Sequence, residues 1–298
     1  MKLVVAGGSG FVGEPLVRRL VARGDDVTVL TRNPAKVDAG RAAQWDAKSQ
    51  GAWSDVAAAA DVVINLAGEN IGEGRWTAER KRRMVDSRLH ATRALVEAMR
   101  REPSRKRTFI NASAIGFYGN RGDETLDEQS SRGDGFLAEL VEQWETAARD
   151  AESFARLVIA RFGVVLAGDG GALKKMLLPF KLGAGGPIGD GRQWMSWVDR
   201  DDVLRFLEWA IDHEPARGVY NVTAPSPVRN AEFARALGRA LHRPSFMPAP
   251  AFALRIVFGQ MADEVLLAGQ RVLPRRATTD GFASIRTSLP EALAHMRL

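Results

Sequence analysis

Cysteine is absent from the 298 residues of this chain, which excludes disulfides and thiolate metal centres. Histidine is nearly as scarce. His90, His213, His242 and His295 stand far apart without metal-ligand spacing, so no metal is expected. Tyrosine occurs only as Tyr118 and Tyr220. No run approaches the roughly 18–20 uncharged apolar residues that a membrane helix needs. The apolar opening Leu3–Ala6 is broken at once by Gly7 and Gly8, too early for a secretory leader. A cytoplasmic location is expected from these absences together. No serine stands in a G-x-S-x-G context, which argues against a serine hydrolase of that kind.

Hydrophobic residues make up 45% and charged residues 26%, the balance of an ordinary globular chain. The length suits one large domain or two smaller ones. A formal net charge of +6 permits an anionic partner: nucleic acid, a membrane surface or a phosphorylated small molecule. Through the first 165 residues, short apolar runs alternate with longer amphipathic stretches. Lys2–Ala6, Asp26–Thr31, Asp61–Leu66, Thr108–Ser113 and Arg156–Val165 read as strands, and Phe11–Arg23, Thr77–Arg101 and Phe136–Ala151 as helices. Such alternation predicts an α/β fold with a doubly wound parallel sheet. After Val165 eight glycines fall between Gly168 and Gly191, which predicts loops there. Helical patterns return at Arg200–Asp212 and Asn230–Leu241, with a strand at Gly218–Thr223 between them.

The first glycines carry chemistry. Gly7, Gly10 and Gly13 follow a strand and open a helix, the context that a dinucleotide loop requires. Gly7 allows a tight turn, Gly10 lets backbone approach a pyrophosphate, and Gly13 lets the helix pack closely on the sheet. The N–H groups around Phe11 and Val12, with the positive helix end, then face the phosphates. The second strand ends in Thr31-Arg32-Asn33, without the acid that an NAD site usually presents to the ribose 2′-hydroxyl. Arg32 offers a planar fork for a 2′-phosphate and Thr31 a hydroxyl, so NADP(H) is expected over NAD(H).

With these marks, and with Asn65-Leu66-Ala67-Gly68 and Phe117-Tyr118-Gly119 after two later strands, the chain resembles an extended or atypical short-chain dehydrogenase/reductase. More closely it resembles the epimerase-family proteins with a DUF1731 tail, some of them labelled nucleoside-diphosphate-sugar epimerases or cell-division inhibitors. The matching stretches are Asn65–Ile71, Arg75–Thr77, Ser87-Arg88, Ser113–Gly119, Gly185–Val198 and Ala251–Arg276, spread over nearly the whole chain. The resemblance implies a Rossmann-like NAD(P) domain over residues 1–165, with residues 195–223 returning to it. It implies a smaller, discontinuous substrate region from residues 166–194 and 224–298. It also implies that Leu66, Ala67 and Gly68 pass under the cofactor and that Phe162 lies near the nicotinamide. Arg88 stands where many relatives carry Asn and could reach a phosphate or the bound substrate, or merely brace a loop.

The acid–base pattern of short-chain dehydrogenases is missing. That chemistry needs a Ser or Thr and a Tyr-x-x-x-Lys pair, in which Lys lowers the phenol pKa for proton exchange during hydride transfer. Tyr118 is followed four residues on by Gly122, and Tyr220 by Ala224. Aligning Phe136–Ala147 on the family pattern puts Leu137 at the Tyr position and Val141 at the Lys position. Counting back from Tyr118 places Ala114 at the hydroxyl position, with Ser113 one residue earlier. Three readings stay open. One is reductase or epimerase chemistry on a small carbonyl or sugar-nucleotide substrate, with Ser113, Tyr118 or Glu124 as proton donor. The second is an NADPH-binding sensor without turnover. The third is a nucleic-acid or protein-interaction module on a vestigial cofactor fold.

Other features have plainer explanations. The span Arg75–Arg107 holds twelve basic residues against four acids, but Trp76 is its only ring, so a solvated helix face is expected rather than a nucleic-acid groove. Asp199, Asp201 and Asp202 suit a helix start. Gly183–Gly191 and the following Arg192, Trp194 and Trp197 fit equally a substrate lid or a loop with core tryptophans. A monomer or a homodimer is expected.

Overall fold

The computed structural model describes residues 1–296 and 298. Seven strands form the central sheet: β1 (Lys2–Ala6), β2 (Asp26–Thr31), β3 (Arg41–Gln44), β4 (Val62–Asn65), β5 (Thr108–Ala114), β6 (Arg156–Phe162) and β7 (Gly218–Val222). Their spatial order is β7-β6-β5-β4-β1-β2-β3, all parallel. The chain runs outward from β1 to β3, then crosses back to β4 on the other side of β1. The order therefore reverses between β1 and β4, which opens a crevice at their carboxyl ends, where such sheets bind ligands.

The strands read as unbroken apolar runs because helices cover both faces. Leu3 and Val5 of β1 pack with Leu16 and Leu20 of α1 (Gly13–Ala22). Val4 and Ala6 face the other way, onto Ala91, Leu95 and Met99 of a long helix whose hydroxyl cap is Thr77. With α2 (Ala52–Ala58) between them in the chain, that helix is α3 (Ala78–Arg100), and α4 (Phe136–Arg149) lies beside it. The doubly wound α/β fold expected from the alternation of strands and helices is the fold observed.

Two local expectations are corrected, and two elements appear that the sequence pattern did not signal. The strand expected over Arg156–Val165 is two strands. It breaks at Gly163, whose N–H bonds to Val222 O, and Val164–Ala167 leaves the sheet to pair with Trp197–Asp199. The glycine-rich stretch is not all loop. It contains α5 (Gly171–Lys181), whose interior lacks glycine, while Gly170 and Gly183 flank its ends. Strand β3 and helix α2 had no sequence reading at all. At Arg41–Gln44 the edge strand is largely exposed and shows no apolar run.

Beyond the sheet, α6 (Arg200–Asp212) packs on the α1 face, and α7 (Asn230–Ala240) forms a second core with Trp197, Leu173 and the carboxyl-terminal Leu289 and Leu293. Asp199 caps α6 through Asp201 N–H, as its place at a helix start suggested. Asp202 instead accepts from Ile285 and Arg286 N–H and ties down the tail. Helix α8 (Ala251–Phe258) has no fully buried residue although seven of its eight residues are apolar. Among the described residues no helix is long and apolar enough to cross a membrane.

Candidate functional site

At the carboxyl end of β1 the chain turns at Gly7, which has φ +76°, and Gly10 N–H closes the turn onto Gly7 O at 3.0 Å. A Cβ on Gly7 would lie 2.7 Å from the Leu66 carbonyl carbon, and one on Gly13 only 2.2 Å from Gly7 O. Both glycines are thus required by contact within the fold. Gly10 differs, since its Cβ would meet only Gly7 O, at 3.2 Å. Helix α1 begins without a side-chain cap. Among the described residues the N–H groups of Phe11, Val12 and Gly13 find no partner, at the end that carries about half a positive charge.

Beside this loop, Thr31 is buried and its hydroxyl is engaged with Asn33, accepting from the Asn33 N–H at 3.1 Å. Arg32 is exposed and makes no ion pair or side-chain hydrogen bond among the described residues. The end of β4 forms the opposite wall. Buried Asn65 donates to Thr92 Oγ1 at 2.9 Å and Asn111 Oδ1 at 2.7 Å, and its own Oδ1 accepts from Ala67 N–H. Those bonds hold Leu66 and Ala67 against the Gly7 turn, with Gly68 following. Arg88 lies over Gly68, where a Cβ would come within 3.1 Å of its guanidinium carbon. It donates to Met84 O of its own helix and stacks over Trp144. Burial pushes its pKa down to about 10, only partly offset by the charge of Glu69, so it is still a cation at neutral pH. Phe162 ends β6, half-buried, across the sheet from this wall.

These residues fit a dinucleotide. The loop has unspent N–H groups at a positive helix end, the glycines leave no room for side chains beneath a pyrophosphate, and two guanidiniums lack carboxylate partners.

The two hydroxyl candidates lie at opposite ends of one buried chain of polar groups. Ser113 Oγ donates to Glu145 Oε1 at 2.6 Å. Glu145 takes two bonds from Arg161, from Nε at 2.7 Å and Nη2 at 2.8 Å. Arg161 Nη1 donates to Tyr118 Oη at 2.9 Å, and Tyr118 donates to Asn221 Oδ1 at 2.8 Å. Glu145 and Arg161 are each only 3% exposed. Burial works to lower the Arg161 pKa, but the hydrogen bonds and charge of Glu145 outweigh it and hold it above its ordinary value. Burial likewise pushes Tyr118 up to about 12 against the pull of Arg161. The Arg161 guanidinium also stacks on Phe117, 3.5 Å from its ring centre. Glu124, the third candidate donor, is paired with Arg121 at the surface. Neither Glu145 nor Arg161 was singled out from sequence. The available signal was a charge inside an apolar strand and another on the Leu137–Val141 face of a helix.

Ala114, Leu137 and Val141, aligned with the acid–base positions, pack together with Met84, Phe258 and Met261 in one apolar wall. Glu264, from the segment after α8, accepts from Phe136 and Leu137 N–H at 3.2 and 2.9 Å and so caps α4. Trp197 is wholly buried, a core residue bonded to Ser226 O, whereas Trp194 is half-buried between Arg229 and Arg271.

A family model described as the NAD dependent epimerase/dehydratase family matches residues 3–223, and one described as a domain of unknown function, DUF1731, matches residues 249–296. The chain is 41% identical over 297 residues to "Epimerase family protein Mb2239" of Mycobacterium bovis, covering 98% of this chain and 96% of the relative. It is similar to the crystal structure of the human epimerase family protein SDR39U1 with NADPH, with 37% identity, 99% of both chains covered and a TM-score of 0.90. A UDP-glucose 4-epimerase of Thermus thermophilus, solved with NAD, shares the fold at 20% identity, with 99% of this chain and 97% of that one covered and a TM-score of 0.76.

Proposed function

Since the chain belongs to the NAD dependent epimerase/dehydratase family, we propose that it is an NADP(H)-dependent redox protein of the epimerase or reductase kind, acting on a small molecule without a Tyr-x-x-x-Lys pair. The observation that carries the cofactor preference is the unpaired Arg32 at the end of β2, next to a glycine loop with unspent N–H groups and with no acid at the ribose position. The NADPH in the human SDR39U1 structure supports the same preference.

In this proposal the N–H groups of Phe11, Val12 and Gly13 hold the pyrophosphate, with Gly7, Gly10 and Gly13 making room. Thr31 shapes the turn that presents Arg32 to the 2′-phosphate. Leu66, Ala67 and Gly68 form the floor, Arg88 supplies a second cation, and Phe162 flanks the nicotinamide. When bound, the cofactor supplies or accepts hydride at its nicotinamide ring. Residues 1–165 and 195–223 form the dinucleotide part, and residues 166–194 and 224–298 the substrate part.

The hydroxyls of Ser113 and Tyr118 are already committed to Glu145 and Asn221, so we assign both as positioning residues and leave proton exchange to water. A positioned acid contributes roughly 10²- to 10⁴-fold in rate. Turnover is therefore expected to be slow, and Tyr118→Phe should keep it within about threefold of the parent. The test is NADPH oxidation against a panel of ketones, aldehydes and sugar nucleotides. A loss of 10²-fold or more in Tyr118→Phe would make that phenol the acid. NADPH binding without oxidation by any of the panel would favour a non-catalytic sensor.

A further inference from the structure

A cavity of about 930 Å³ opens beside the cofactor groove, between α5, α7, α8 and the loop after β4. We infer that it takes an extended apolar molecule bearing a carbonyl at its inner end, and not a sugar nucleotide. The inference rests on the redox reading above, because that reading sets which end of the cavity is the reacting one.

Its inner end is defined by two contacts. Gly171, on the rim, packs against the ring of Phe11 in the glycine loop, and Phe258 and Met261 pack against Ala114, Leu137 and Val141. Residues that line the cavity thus touch both the phosphate loop and the wall with apolar residues at the acid–base positions. Met176, Phe180, Phe233, Leu254, Phe258 and Met261 are among the apolar side chains that line it. A volume of this size suits a molecule of drug-like dimensions, and such walls favour apolar ligands.

Of the four polar side chains on the wall, those of Asn70, Lys175 and Asn230 already hold partners. Asn70 Oδ1 accepts from Gly72 N–H and its amide donates to Glu73. Asn230 Oδ1 accepts from Ile188 N–H at 2.7 Å. Lys175 Nζ donates to Gly72 O at 2.7 Å. Lys174, exposed at the mouth, is the only lining cation without a bond among the described residues. Among the described residues no arginine lines the cavity. A nucleoside diphosphate brings at least two charges whose desolvation needs several charge-assisted bonds, and guanidiniums are the usual source. Two exposed lysines, one of them already bonded to Gly72 O, do not supply them. The outer wall, α8, has no fully buried residue, so it can shift to fit ligands of different length.

The test uses the whole chain and the neutral fluorescent probe N-phenyl-1-naphthylamine. The probe should bind, and 2-alkanones of six to twelve carbons should displace it with affinity rising about fourfold per methylene. UDP-glucose and UDP-glucuronate should not displace it. Leu254→Trp, which narrows the cavity without burying charge, should abolish the gain for the longest ketones. Displacement that ignores chain length, or that UDP-sugars achieve more readily than the ketones, overturns the inference. NADPH binding, followed on the same protein by the cofactor's own fluorescence, tests the parent reading separately. Its loss would sink that reading while the ketone series still reports on the cavity.

Discussion

Replacing Glu145 by Gln removes the negative charge that faces the buried Arg161. The native pair has two bonds of 2.7 and 2.8 Å and almost no contact with water, so solvent cannot take over the guanidinium. Leaving one partner of such a pair charged and unmatched costs about 3–5 kcal/mol, a large share of the 5–15 kcal/mol typical of a folded domain. The Glu145→Leu, Arg161→Met double variant removes both charges. It should lose less than the two single variants added together, because buried pairs replaced by apolar residues are often near neutral. Some loss remains, since Ser113 forfeits its only acceptor, at roughly 1–2 kcal/mol for an unsatisfied hydroxyl, while Tyr118 loses the Arg161 bond but keeps that to Asn221. Urea unfolding reads this as a lowered midpoint with an unchanged slope. A loss below about 1 kcal/mol in Glu145→Gln, or a double variant equal to the sum of the singles, would refute the view that this pair organises the centre of the fold.

The scarcity of tyrosine makes a clean pH experiment. Burial pushes both Tyr118 and Tyr220 up to about 12. A phenol that holds its proton more tightly in the folded state stabilises the fold fully below its unfolded pKa of about 10, and that contribution is lost as pH rises through the folded value. Phenolate absorbance should therefore stay flat through pH 10 and rise near 12 or with unfolding, while stability falls across the same window. A reversible midpoint near 10 for either phenol contradicts the burial described. Glycine substitutions separate fold from ligand. Gly13→Ala forces a Cβ to 2.2 Å from Gly7 O and should destabilise the chain measurably in a thermal melt. Gly10→Ala should melt close to the parent yet bind NADPH about tenfold or more weakly, a contact worth about 1.4 kcal/mol. Equal effects of the two on melting would show that Gly10 serves the fold as well.

The parts of the fold that sequence disclosed are those where one physical demand dominates. Leu3–Ala6 and Val62–Ile64 are buried on both faces and apolar throughout, and the turn at Gly7 and the packing at Gly13 admit no side chain. Arg41–Gln44 escaped notice because an exposed edge strand has no such demand. Helix α5 was masked by the glycines at its ends, which describe its boundaries and not its interior. In the site, Arg32 was legible as an exposed cation at a strand end. The link between Glu145 and Arg161 was not, because they are 16 residues apart and meet only through the packing of α4 on the sheet. Glu264 is still more remote from the helix that it caps, and nothing local to residue 264 announces that contact.

The most direct measurement compares the dissociation constants of NADPH and NADH for the parent chain and for Arg32→Asp, at one stated ionic strength. A guanidinium bonded to a 2′-phosphate contributes about 1.5–3 kcal/mol, or roughly 10- to 100-fold. The parent should prefer NADPH by at least about tenfold, and Arg32→Asp should lose that preference while changing NADH binding by less than about threefold. Equal affinity of the parent for the two cofactors, or an equal loss of both in the variant, would contradict the assignment of Arg32 and of NADP(H).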